Sequence, residues 1–73
     1  LKKVSFKNYS GMVNINRASI AQLDSLPGIG PVLAARIIEY RKTHGPFVAI
    51  EDLRKVRGIG ARLFDEIKAR LSL

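Results

Sequence analysis

The sequence predicts an all-α domain of four or five short helices, built from two copies of one helix–turn–helix unit related by an approximate twofold axis. Three observations predict it. A shift of thirty residues carries Ile20, Leu23, Gly28, Ile29, Gly30, Leu33 and Ile37 onto Ile50, Leu53, Gly58, Ile59, Gly60, Leu63 and Ile67. Each copy turns on a Gly-Ile-Gly triplet, in Leu26-Pro27-Gly28-Ile29-Gly30-Pro31 and again in Val56-Arg57-Gly58-Ile59-Gly60-Ala61. Apolar residues flank both turns at helical spacing. A single pair of short helices cannot bury its own apolar face, whereas two pairs packed together can.

Residues 1–12 read as a basic arm or linker and 13–73 as the domain. In the arm, Lys2, Lys3 and Lys7 alternate with Val4, Phe6 and Tyr9 before Ser10-Gly11 breaks the run. Val4 and Phe6 suit a short strand or docked tail, and a frayed terminus suits them equally. The first helix is expected to follow Asn16 as N-cap, with Ile15 and Ile20 at hydrophobic-staple spacing. That register puts Ser19 at N3, where it cannot complete a capping box. Ile20, Leu23 and Leu26 form the stripe, and Pro27 ends the helix.

Pro31 suits the first position of the second helix, where its missing N–H costs nothing. Leu33, Ala34, Ile37, Ile38 and Arg41 share neighbouring faces, and Val32, Arg36, Glu39, Lys42 and Thr43 are expected outside. Gly45 suits the helix end and Pro46 blocks continuation. His44, the only histidine, is expected to cap carbonyls there rather than bind metal or act as a base, since partners for those roles are missing. Phe47 should anchor the connection in the core. The third helix is expected over Ile50–Val56, with Glu51 and Asp52 in its first turn and Ala49 at an N-cap it cannot serve. The fourth runs from Ala61 to near the C-terminus, burying Leu63, Phe64, Ile67 and Leu71.

Composition narrows the function. The chain has 73 residues, no cysteine and 47% hydrophobic content. That is one domain with a small core, with neither a disulfide nor a thiolate metal site. Thirteen Lys and Arg against six Asp and Glu leave +7. This excess favours a polyanionic partner, nucleic acid before anionic membrane, although solubility alone supports a charge of about 2–8 in a small domain. No apolar run approaches the roughly 20 residues of a membrane span. The chain opens on Leu1 rather than Met, as expected of a fragment or processed product whose upstream segments do not show.

The turns have a structural and a functional reading. Structurally, glycine supplies φ > 0 and each isoleucine plugs the core. This leaves unexplained why both turns keep a glycine on each side of the isoleucine. It also leaves Arg54, Lys55, Arg57 and Arg62 around the second turn without a role. Functionally, a turn that opens into a helix presents free N–H groups and, without Cβ atoms in the way, accommodates a phosphate. Contacts of that kind carry no base information, so binding should be independent of sequence.

The run Val-Asn-Ile-Asn-Arg-Ala-Ser, then Leu-Pro-Gly-Ile-Gly-Pro, Ile-Ile-Glu-Tyr-Arg, Gly-Pro-Phe, Glu-Asp-Leu and Gly-Ile-Gly resembles the tandem helix-hairpin-helix domain. More narrowly, it is similar to the C-terminal DNA-binding domain of ComEA-type competence proteins. The resemblance covers residues 13–73. It implies a SAM-domain-like arrangement that binds double-stranded DNA through Gly28, Ile29 and Gly30 and through Gly58, Ile59 and Gly60. It also implies a place in DNA uptake during transformation, at the cell surface or in the periplasm, with an anchor or uptake machinery outside this chain. Family hairpins often carry a lysine where this chain has Val32, while the second repeat has Arg62. Hairpin one is therefore expected to rely on its backbone, with Arg36 one turn on as its nearest side-chain support. Hairpin two has Arg57 and Arg62.

Rival readings remain at this stage. Helix-hairpin-helix units occur in DNA glycosylases and nuclease subunits, but Asp65 and Glu66 are adjacent on a helix and diverge, and no catalytic set assembles. No enzyme activity, cofactor, metal or small-molecule substrate is expected. Relatives such as an extrinsic subunit of photosystem II use the fold for protein interaction, and they lose the clean glycine pattern kept here. A DNA-binding accessory domain of a cytoplasmic DNA-processing protein is the third reading.

Overall fold

The computed structural model describes residues 11–73, so the expected basic arm lies outside the described residues except for Gly11 and Met12. The order is β1 (Val13–Asn14), α1 (Ile20–Asp24), α2 (Pro31–His44), a 3₁₀ segment (Ile50–Lys55), α3 (Ala61–Ile67), a 3₁₀ turn (Lys68–Arg70) and β2 (Leu71–Ser72). The expectation of four or five short helices holds, with three α-helices and two 3₁₀ segments among the described residues. To these is added a two-stranded parallel sheet pairing Val13 with Leu71 and Asn14 with Ser72. Leu71, expected on the last turn of the fourth helix, thus belongs to a strand. It is buried all the same, with its 3₁₀ approach through Lys68–Arg70 ending the helical run early.

Within each copy, α1 packs on α2 and the Ile50–Lys55 segment packs on α3. The core repeats with the sequence. Leu23 and Leu53, Ile29 and Ile59, and Ile37 and Ile67 are all buried, and Leu26 and Ala34 correspond to buried Val56 and Phe64. Leu33, Ile38, Tyr40, Ile50 and Leu63 lie half-buried at its edge. Burying one such aliphatic side chain contributes about 1.5–3 kcal/mol, and the paired positions make up most of the buried core.

The start of α1 differs from expectation. Its N-cap is Ser19, not Asn16: Gln22 N–H donates to Ser19 Oγ at 3.2 Å and Ser19 N–H donates to Gln22 Oε1 at 2.9 Å, a full capping box. Asn16 is drawn away by a better partner. Its Oδ1 accepts from Phe47 N–H at 2.7 Å and its Nδ2 donates to the Phe47 carbonyl at 3.0 Å, so one amide pairs both backbone groups of a residue thirty-one positions away. Arg41 of α2 closes the same turn, donating to the carbonyls of Ile15 and Ala18 at 3.0 and 2.9 Å. Ile20 is 49% exposed, and with Ser19 as N-cap the expected Ile15–Ile20 pair no longer falls at staple positions.

The third helix is 3₁₀ and stops before Val56, whose ψ of 130° is extended. Ala49 does occupy its N-cap. By the thirty-residue shift Ala49 is the counterpart of Ser19, and only half a box survives there, with Ala49 N–H donating to Asp52 Oδ2 at 3.3 Å. α2 begins at Pro31 after N-cap Gly30 and stops at Gly45, whose φ of 84° suits glycine. Phe47 is buried as expected.

Candidate nucleic-acid interface

Both hairpins share one backbone. Gly28 and Gly58 have φ of 80° and 99°. Ile29 N–H donates to the Leu26 carbonyl and Ile59 N–H to the Val56 carbonyl, each at 3.0 Å. With those amides turned inward and their side chains buried, Ile29 and Ile59 act as plugs. Of each triplet, it is the glycines that lie outside the core.

The second glycine of each hairpin is different in kind. Gly30 and Gly60 are N-caps with extended backbone, φ −101° and −95°, which any residue adopts. A Cβ built on either meets nothing within 4 Å. The first backbone bonds after them run from Ala34 to Gly30 and from Phe64 to Gly60. Among the described residues, the N–H groups of Gly30, Val32 and Leu33 therefore have no acceptor, nor do those of Gly60, Ala61, Arg62 and Leu63. Pro31 deprives hairpin one of an amide that Ala61 supplies in hairpin two.

The two hairpins lie side by side because each repeat packs a leucine onto the other's turn. A Cβ on Gly28 would come within 2.6 Å of Leu63 Cδ1, and a Cβ on Gly58 within 2.6 Å of Leu33 Cδ2. Leu33 and Leu63 are themselves thirty-residue counterparts, so the contact is reciprocal. These first glycines are needed twice, for positive φ and for the close approach of the opposite leucine.

Charge breaks the symmetry. Arg36, expected beside hairpin one, reaches across to hairpin two, where its Nη1 donates to the Arg57 carbonyl at 3.2 Å. Its thirty-residue counterpart is Glu66, so the second repeat has no cation at the equivalent position to make the reverse reach. Arg57 and Arg62 are both exposed. Hairpin two thus gathers Arg36, Arg57 and Arg62, while Val32 of hairpin one is apolar and 64% exposed. Sequence reasoning missed this transfer because helical spacing places Arg36 on an exposed face without saying which turn that face meets.

Next to hairpin two, Lys55 pairs with Asp52 at 3.4 Å. Partial desolvation raises the Asp52 pKa, but the Ala49 N–H, the Lys55 hydrogen bond and charge, and the Val48 N–H outweigh it and hold it below its ordinary value. His44 ends α2 with its Nδ1 3.3 Å from the Tyr40 carbonyl, in the capping position expected of it, and also 2.9 Å from Thr43 Oγ1. Among the described residues no group of three or more His, Asp or Glu could hold a metal ion, and no helix is long and apolar enough to cross a membrane.

A family profile for the helix-hairpin-helix motif matches residues 8–72. The chain belongs to the helix-hairpin-helix family. It is 44% identical over 62 residues to ComE operon protein 1 of Bacillus subtilis (strain 168), covering 85% of this chain and 30% of that protein. It is 44% identical over 61 residues to a deoxyribonuclease of Thioalkalivibrio sp. (strain K90mix), covering 84% of this chain and 16% of the relative. Against endonuclease/exonuclease/phosphatase family domain-containing protein 1 of Danio rerio it is 50% identical over 56 residues, 77% of this chain and 10% of that protein. The chain therefore spans less than a third of each of these relatives. It matches a module that occurs in proteins of different kinds.

Proposed function

We propose that this helix-hairpin-helix domain binds duplex DNA without sequence preference, hairpin one holding one strand and hairpin two the other through phosphate contacts. One observation carries the reading. Among the described residues nothing requires glycine at 30 or 60: their backbone suits any residue, and a Cβ would stand in open space. Glycine is accepted at an N-cap, but Ser, Asp and Asn cap better by a few tenths of a kcal/mol. Glycine at both equivalent sites keeps the surface clear for a ligand that approaches the backbone itself. The unpaired amides beside each glycine, the +7 charge and family membership all suit a phosphate as that ligand.

The domain itself performs no catalysis in this reading. Its similarity to ComE operon protein 1 over most of the chain supports a role in DNA uptake during transformation, at the cell surface or in the periplasm. Its similarity to a deoxyribonuclease supports the alternative, a DNA-holding accessory to a processing enzyme. In both roles the duplex grip is the same.

The test substitutes Gly30→Asp and Gly60→Asp. Aspartate is a better N-cap than glycine by a few tenths of a kcal/mol, so thermal stability should hold or rise slightly. Binding to random-sequence duplex should fall at least about a hundredfold for the double variant, because a carboxylate would stand at each of the two phosphate sites. Unchanged affinity in the stable double variant would sink the proposal.

A further inference from the structure

Beside hairpin two lies an open cleft of about 410 Å³, lined by Arg36, Glu39, Tyr40, Thr43, His44, Lys55, Val56 and Arg57. The duplex grip shares Arg36 and Arg57 at the edge of this cleft but assigns nothing to its Tyr40–His44 side. Two features of different chemistry meet there. One is a column of rings: Tyr40 stacks on His44, centroids 4.1 Å apart and planes 12° from parallel, and on Phe47 at 5.3 Å and 10°. Phe47 is buried, Tyr40 half-buried and His44 exposed, so the column runs from the core to the cleft. The other is charge. Arg36, Lys55 and Arg57 line the cleft against Glu39, with Asp52 pairing part of the Lys55 charge.

A flat aromatic platform beside clustered cations suits an unstacked base with its phosphate. A fully paired duplex offers no free base face, so the cleft is of little use to it. Volume agrees, since ligand sites commonly measure ~300–1,000 Å³. Position also agrees: Val56 and Arg57 line the cleft and lead directly into Gly58-Ile59-Gly60.

We propose that this cleft takes an unpaired nucleotide next to the duplex, its base stacked on the exposed His44 ring that ends the column and its phosphate held at Lys55. The domain would then favour a duplex bearing a single-stranded tail over a blunt one. This inference rests on hairpin two holding a strand of the duplex.

Fluorescence anisotropy tests it with three probes of one sequence: a blunt duplex, the same duplex with a short single-stranded tail, and the single strand alone. The tailed duplex should bind about five- to tenfold more tightly than the blunt one, in line with one base stacked on an aromatic ring. His44→Ala should erase that gain and leave blunt-duplex affinity unchanged. His44→Phe, which keeps a ring at the end of the column, should retain the gain, and Lys55→Gln should reduce it. Equal affinity for tailed and blunt probes would overturn the cleft and leave the duplex grip standing. A gain that survives His44→Ala, or a loss equal on all probes, would also overturn it. If the tail and the single strand bind through His44 but the blunt duplex does not bind, the duplex grip falls, and the proposed place of the nucleotide beside a held duplex falls with it. Absence of binding to every probe would overturn both.

Discussion

Hairpin one, Pro27-Gly28-Ile29-Gly30-Pro31, and hairpin two, Arg57-Gly58-Ile59-Gly60-Ala61, bury the same isoleucine and turn on the same left-handed glycine. Around that shared frame they diverge. Hairpin one is bracketed by two prolines, loses an amide to Pro31 and is followed by exposed, apolar Val32. Hairpin two is bracketed by Arg57 and Ala61, followed by Arg62, and receives Arg36 from the other repeat. Backbone shape and charge have thus been separated between two copies of one unit. A stiff backbone grip needs no charge to fix its position. A charged one adds affinity and depends on salt.

Substitutions at what the hairpins share should have the largest effect. Gly28→Ala and Gly58→Ala each force an L-residue into positive φ and drive a methyl group toward a packed leucine. Each should cost about 1–3 kcal/mol in thermal or denaturant unfolding. Gly58→Ala should cost more, since Arg36 Nη1 would also lie 3.0 Å from the new methyl. A larger loss at Gly28 would show that the Arg36 contact carries no weight.

The next test addresses what they do not share. With about four to six phosphates engaged, log K against log salt should slope near −4 to −5, and Arg57→Ala with Arg62→Ala should flatten it by about two. The loss should be equal across DNA sequences. Val32→Lys should steepen the slope by about one, bringing hairpin one toward its partner. If Val32→Lys does nothing while the arginine variants weaken binding, hairpin one does not meet a phosphate.

Arg36→Ala should act on hairpin two although it belongs to the first repeat. It removes a charge-assisted hydrogen bond at an exposed site, so its stability cost should stay near or below about 1 kcal/mol. Salt-titrated binding should place its loss with Arg57 by non-additivity in a double-mutant cycle. Full additivity would mean that the two act apart. The smallest effect compares the helix starts. Ala49→Ser restores the box that Ser19 makes, but Asp52 N–H already donates to the Ala49 carbonyl at 3.0 Å. The gain should therefore sit near the low end for an N-cap, about 0.5 kcal/mol, or roughly 2–4 °C in the melting temperature. No gain would mean that the 3₁₀ geometry has taken the only useful donor.

Much of this was legible in the residues. The thirty-residue repeat predicted the doubled unit, and Pro31 and Gly45 marked the bounds of α2. What escaped depended on distant partners. Asn16 and Ser19 are both good N-caps by type, and only the backbone of Phe47 decides between them. A two-residue strand carries no periodicity, so Leu71 read as a helical stripe until Val13 came beside it. The same holds for the site. The glycines were visible at once, but the reciprocal leucines and the reach of Arg36 exist only after the repeats have packed.

The pairing of Val13 with Leu71 has a mechanical side. The two strands run in the same direction, near opposite ends of the described chain. A pull on those two ends would slide β1 and β2 past each other along their length. The ladder bonds, together with the one from Ile15 N–H to the Ser72 carbonyl at 2.9 Å, would then bear load together in shear. An unzipping geometry would have let them break one after another. Four residues of strand thus work as a latch, holding both hairpins in register when the chain is tugged.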